Sequence, residues 1–182
     1  MRKVLLLWLT ALVAATMAAS VAAEKGGPTE LPFKGMFSGV LLGFNEDPEV
    51  IADRCDNTPQ GKVAWAVTSF EGWGTATHMG RTYVYAEHCS YAVAGVGPDG
   101  TYGQGELTLF AANGDMLSAT YANGVSLSPP PIVGFTDYLT FDDEGTGRFN
   151  FASGGGVEIG SVDLSDGSFT LQMAGEISYS KR

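Results

Sequence analysis

Two histidines, two cysteines and two arginines that each follow a glycine carry the most specific chemistry in this chain. His78 lies in Gly72-Trp73-Gly74-Thr75-Ala76-Thr77-His78-Met79-Gly80-Arg81. On an extended strand it shares a face with Gly74, Ala76, Gly80 and Thr82. A histidine among such small side chains can project into a cavity as a base or hydrogen-bond donor, which makes His78 the candidate catalytic residue. The structural alternative is a histidine hydrogen-bonded to a backbone carbonyl. His88 stands between Glu87 and Cys89. Neighbours on a strand point to opposite faces, so neither a Glu87–His88 dyad nor a Cys–His nucleophile is expected. Cys55 and Cys89 lack redox-type spacing and read as one disulfide. Such a bridge closes a loop of about 35 residues, contributes about 3–4 kcal/mol, and brings Asn45–Gln60 against the strand region ending near Cys89. Arg81 and Arg148 are suited to an anionic ligand group or, more simply, to structural ion pairs.

Other chemistries find little support. Two histidines without ligand spacing argue against a transition-metal site. Asp142-Asp143-Glu144-Gly145 and Asp99-Gly100 depart from the calcium-loop pattern and read as solvated turns, so no metal is expected. No nucleophile elbow, phosphate-binding glycine loop or dinucleotide motif occurs, and no cofactor is expected. Trp65, Trp73, Tyr83, Tyr85, Tyr91, Phe110 and Tyr121 supply enough aromatic surface to line a pocket or to fill a core. With His78 and Arg81, the residues singled out for ligand binding are Trp73, Tyr83, Phe110 and Tyr121.

Short β-like runs separated by glycine turns must position these groups. Val162–Ser165, Asp166-Gly167 and Ser168–Met173 predict a hairpin with a two-residue turn, pairing Leu164 with Phe169 and Val162 with Leu171. Glu106–Ala112, Asn113-Gly114 and Asp115–Tyr121 predict a second, pairing Phe110 with Leu117 and leaving apolar residues on both faces. Further strands are expected at Phe33–Phe44, Lys62–Phe70, Gly72–Ala86, Gly134–Phe141, and Arg148–Phe151 with Val157–Ile159. Helix is scarce, with a turn expected at Asp47–Arg54. About eight strands with internal glycines predict an all-β, antiparallel closed barrel, a β-sandwich being the alternative.

The first 23 residues have the layout of a signal peptide: basic Met1-Arg2-Lys3, an apolar run from Val4, and small residues up to Ala23. An uncleaved membrane anchor is the alternative. Cleavage leaves a flexible lead-in, residues 24–32, and one domain, 33–182, secreted or periplasmic and without membrane attachment. The whole chain has 10 basic and 20 acidic residues; without Arg2 and Lys3 the net charge is −12. Nucleic acid would be repelled by such a surface and is not an expected partner.

The order of Gly72–Arg81, Leu107-Thr108-Leu109-Phe110-Ala111-Ala112-Asn113-Gly114-Asp115-Met116-Leu117, Gly145-Thr146-Gly147-Arg148-Phe149 and Gly175-Glu176-Ile177-Ser178 resembles a group of small secreted bacterial proteins of unassigned function. That group is similar to the allene-oxide-cyclase-like branch of eight-stranded calycin-type barrels. The resemblance implies a barrel, and a class that contains both cyclases acting on hydrophobic substrates and non-enzymatic binders. No family active site maps onto this sequence residue by residue. The expected function is binding of a small apolar molecule. The alternatives are a cyclase or isomerase, with His78, Arg81 and Glu106 facing one cavity, and an interaction protein with a filled barrel working through loops such as Asn45–Gln60 and Ser126–Pro131.

Overall fold

The structure, a computed structural model, describes residues 30–179. The expected signal peptide, most of the expected lead-in and the last three residues lie outside them. Eight antiparallel strands close into a barrel in simple chain order: β1 (Leu31–Asn45), β2 (Lys62–Ala76), β3 (Gly80–Val93), β4 (Gly97–Ala111), β5 (Met116–Ser126), β6 (Ile132–Phe141), β7 (Ser153–Asp163) and β8 (Ser168–Ser178). Pairing of β1 with β8, for example Phe37 with Leu171, completes the closure and leaves no free sheet edge.

The barrel alternates inward apolar and outward mixed residues, and its register departs from the sequence expectation in instructive ways. At Asn113-Gly114 the loop has three residues, because Asp115 returns its carbonyl to the Ala111 amide at 2.9 Å. Leu109 therefore pairs with Leu117 and Phe110 with Met116. This one-residue shift sends both leucines inside and Phe110 outside, removing the two-faced apolar pattern that a two-residue turn implied. At Asp166-Gly167 the loop is Leu164–Gly167, with the Gly167 amide bonded to the Asp163 carbonyl at 2.7 Å. Val162 then pairs with Phe169. A shift of two keeps every residue on its expected face.

Several strand boundaries also differ: β3 runs past Ala86 to Val93, β4 begins at Gly97 rather than Glu106, and β5 runs past Tyr121 to Ser126. The break expected at Glu71 is absent, and β2 runs on to Ala76, so the turn falls at Thr77–Met79. The Arg148–Phe151 segment is not a strand: Gly147–Phe149 forms a single 3-10 turn that tucks Phe149 into the core. The barrel begins at Leu31, so the end of the lead-in belongs to β1.

Facing glycines let β1 and β2 coil tightly. Gly39 and Gly72 are register partners beneath the Phe169 ring. A Cβ on Gly72 would stand 2.6 Å from the Ser38 carbonyl oxygen, so the strands would have to separate. Gly72→Ala is expected to destabilise the barrel by about 2 kcal/mol, the usual scale of overpacking, measurable by urea unfolding.

Among the described residues one α-helix, α1 (Pro48–Arg54), lies outside the barrel wall. Asp47 caps it by accepting the Glu49 amide at 2.9 Å, proline opens its first turn, and Arg54 sits in its last. Cys55, just past the helix, is bonded to Cys89 of β3. Ile51, Val67 and Tyr91 pack around that bridge as a small second core. The cysteine pairing and the helical turn agree with the sequence reading, although Cys89 falls within β3 rather than at its end.

The main core is asymmetric along the barrel axis. Phe33, Phe141, Phe149, Leu117 and Ile177 plug one end, with Phe33 set edge-on to Phe141 at 4.8 Å. The opposite end is open.

Candidate functional site: a half-filled barrel with one polar wall

At the open end the interior is a chamber of about 430 Å³. Its mouth is framed by Phe44 stacked on Trp65, by the loop containing Ser128, Pro129 and Pro130, and by Leu164. Leu41, Phe70, Phe169 and Leu171, from β1, β2 and β8, make an apolar wall. The opposite wall holds the polar groups, set among Val84, Ala86, Leu107, Val133 and Phe135. Inward positions of five consecutive strands contribute His88 (β3), Tyr102 (β4), Tyr121 (β5), Asp137 (β6) and Glu158 (β7).

These five side chains are linked. His88 Nδ1 lies 2.9 Å from the Tyr121 hydroxyl, and the imidazole stacks on Tyr102 with centroids 4.3 Å apart. Tyr102 donates its hydroxyl to Asp137 Oδ2 at 2.8 Å. Asp137 and Glu158 are register partners on β6 and β7, respectively 2% and 3% exposed. Asp137 Oδ1 and Glu158 Oε1 are buried and receive no donor from the described residues. Two carboxylates side by side in such a place repel each other, and one retained proton relieves both problems. Burial, then the neighbouring Asp137 charge, holds the Glu158 carboxyl well above the usual carboxylate range. Burial also raises Asp137, opposed by the hydrogen bonds it accepts from Tyr102 and Glu158. Of the two, Glu158 is thus the carboxyl biased toward its protonated form.

His88 is displaced in the other sense. Burial, with the Arg54 charge in second place, lowers it from 6.5 to about 3, so the imidazole is neutral at physiological pH. The Tyr102 and Tyr121 hydroxyls are pushed up by burial and by the carboxyl pair, and remain protonated donors.

Stability should therefore peak in mildly acidic solution. Below pH 6.5 the unfolded chain protonates His88 while the fold does not, and stability falls with falling pH by about 1.4 kcal/mol per unit toward pH 3. Above 4.5 the unfolded chain ionises Glu158 while the fold keeps the proton, and stability falls with rising pH until Glu158 itself titrates. The two slopes oppose each other between those values. Glu158→Gln is expected to weaken the alkaline decline, leaving the smaller part that comes from the raised Asp137, and to leave the acid decline intact, checked by urea unfolding from pH 4 to pH 9.

The residues singled out from sequence divide between the two sides of the barrel. Tyr121 lines the chamber. His78 does not lie on a strand: it occupies the β2–β3 turn with φ of 68°, its Nε2 3.1 Å from the Pro32 carbonyl oxygen and its ring beside Tyr179. Arg81, Trp73, Tyr83 and Phe110 form a file on the outer face. Arg81 stacks over Trp73 at 4.9 Å, Trp73 lies 5.2 Å from Tyr83, and Tyr83 lies 5.8 Å from Phe110. Trp73 is 54% and Phe110 40% exposed. Glu106 is also outside, 3.3 Å from Arg54, whose Nε contacts Glu87 at 2.9 Å. His78, Arg81 and Glu106 therefore do not share a cavity. Arg148 makes an ion pair with Asp115 at 3.1 Å, and no group of three or more metal-ligating side chains occurs among the described residues.

Sequence reasoning missed Asp137, Glu158 and Tyr102, and gave His88 no role. A usable signal exists: in Val133, Phe135, Asp137, Leu139 and Phe141 a carboxylate occupies the apolar phase of a strand. No protein-family model matches this chain, and neither the curated proteins nor the solved structures yield a match.

Proposed function

We propose that this protein is an exported β-barrel that binds a small, mostly apolar molecule in the chamber. The carrying observation is the chamber itself, about 430 Å³ with an apolar wall facing a hydrogen-bonding one. That size is within the range of small-molecule sites, and the division of its walls suits a ligand with an apolar body and a polar end. The Cys55–Cys89 bridge supports an oxidising destination, as does the signal-like leader. The eight-stranded closed barrel is compatible with the proposed kinship to allene-oxide-cyclase-like barrels, a likeness of fold that carries no activity with it.

One observation favours the cyclase or isomerase reading as an alternative. Two adjoining carboxyls, one biased toward its protonated form, with a tyrosine hydroxyl beside them are a ready acid–base set within the chamber. Binding is common to both readings. Native mass spectrometry of the protein from its exporting host, compared with the denatured sample, tests it. A mass excess lost on denaturation is expected. A bare chain whose thermal stability no apolar probe alters would overturn the reading.

A further inference from the structure

We propose that the chamber selects a ligand whose polar end is a cationic amine, held by Asp137 and Glu158. This deepens the reading above and rests on the chamber being the ligand site. Both carboxyls line the chamber and are more than nine-tenths buried, and each has an oxygen without a donor. A single proton is the least that lets the pair coexist. An ammonium group supplies three N–H donors and a full positive charge at the same place.

The surroundings point the same way. The titratable groups facing the pair are Tyr102 on β4 and Tyr121 on β5; His88 on β3 lies against those two tyrosines, and the Arg54 charge outside the wall reaches His88 and Tyr121. Across β7, β8 places Met173 opposite Glu158, which brings no charge. No lysine or arginine lines the chamber among the described residues. A carboxylate or phosphate end would therefore meet negative charge without a counter-ion, at a cost that burial increases. An alcohol could hydrogen-bond but would leave the pair as it is. Phe70, Phe135 and Phe169 add aromatic faces in the same chamber, favourable to a cation.

The exchange balances in charge. The pair carries one negative charge with its proton in place. An incoming ammonium brings one positive charge, the proton leaves for solvent, and two carboxylates remain with one cation between them. Binding should therefore release about one proton and strengthen as pH rises, by up to about tenfold per unit until the empty pair titrates.

The test is calorimetry of the full chain with octylamine, 1-octanol and octanoate, which share an apolar body and differ in the head. Octylamine is expected to bind at least about tenfold more tightly than 1-octanol at pH 7, and octanoate least. Comparison of phosphate with Tris buffer should show about one proton released for the amine and none for the alcohol. The D137N/E158Q double variant should erase the amine preference while retaining 1-octanol. If that variant does not fold, the proton release and pH slope of the unmodified protein decide. Equal or stronger binding of 1-octanol or octanoate, or amine binding without proton release, overturns the inference and leaves the chamber reading standing. Failure of all three probes to bind overturns both.

Discussion

Ala86→Trp is expected to weaken binding of 1-octanol by about 100-fold, or about 2.7 kcal/mol, without unfolding the barrel. Ala86 is on β3 between Val84 and His88, points inward and lines the chamber. An indole grown from that position fills space the ligand would use. Because it extends into a hollow of about 430 Å³, it escapes most of the usual strain of overpacking. Phe110→Ala, on the outer face, is the control and should leave binding unchanged. Calorimetry reads the affinities, and far-ultraviolet circular dichroism confirms that both variants keep their strands.

Replacing Cys55 and Cys89 together by serine is expected to lower stability by about 3–4 kcal/mol in urea unfolding. The bridge spans a sequence separation of 34, and its loss frees the unfolded chain over that length. It also ties α1 to the outside of β3, beside the small core formed with Ile51, Val67 and Tyr91. The barrel closure does not pass through α1, so the serine variant should remain a barrel, with the α1 segment first to exchange its amides. A loss below about 1 kcal/mol would mean that the unfolded state is already constrained near these positions.

The sequence carried the architecture better than the chemistry. Alternation along Phe33, Gly35 and Phe37, and along Phe169, Leu171 and Met173, has a period that only a strand explains, and those residues do face inward. Turn residues located the hairpins near Gly114 and Gly167 but not their registers, since Asx-Gly pairs serve loops of two, three or four residues. At Gly114 that single residue decided which side of the wall held Phe110. The same uncertainty scattered the aromatic candidates: Trp73, Tyr83 and Phe110 are neighbours, but on the outer face. The carboxyl pair was hidden for a different reason. Asp137 and Glu158 are 21 positions apart on separate strands and are joined only by the β6–β7 register. Tyr102 lay in the glycine-rich Gly97–Gly105 stretch, which had no apolar alternation to mark it as a strand. His88 was correctly separated from Glu87 and Cys89, which point outward, yet its own inward environment depends on Phe70, Tyr102 and Tyr121 from three other strands.

The most direct measurement is a crystal structure of the protein with 8-bromooctan-1-ol, collected at the bromine absorption edge. Bromine is expected inside the chamber, among residues such as Phe70, Phe169 and Leu171 or toward the Phe44–Trp65 mouth, with the hydroxyl directed to the polar wall. An anomalous peak on the outer Trp73–Tyr83–Phe110 file, with the chamber holding none, would contradict the chamber as the ligand site.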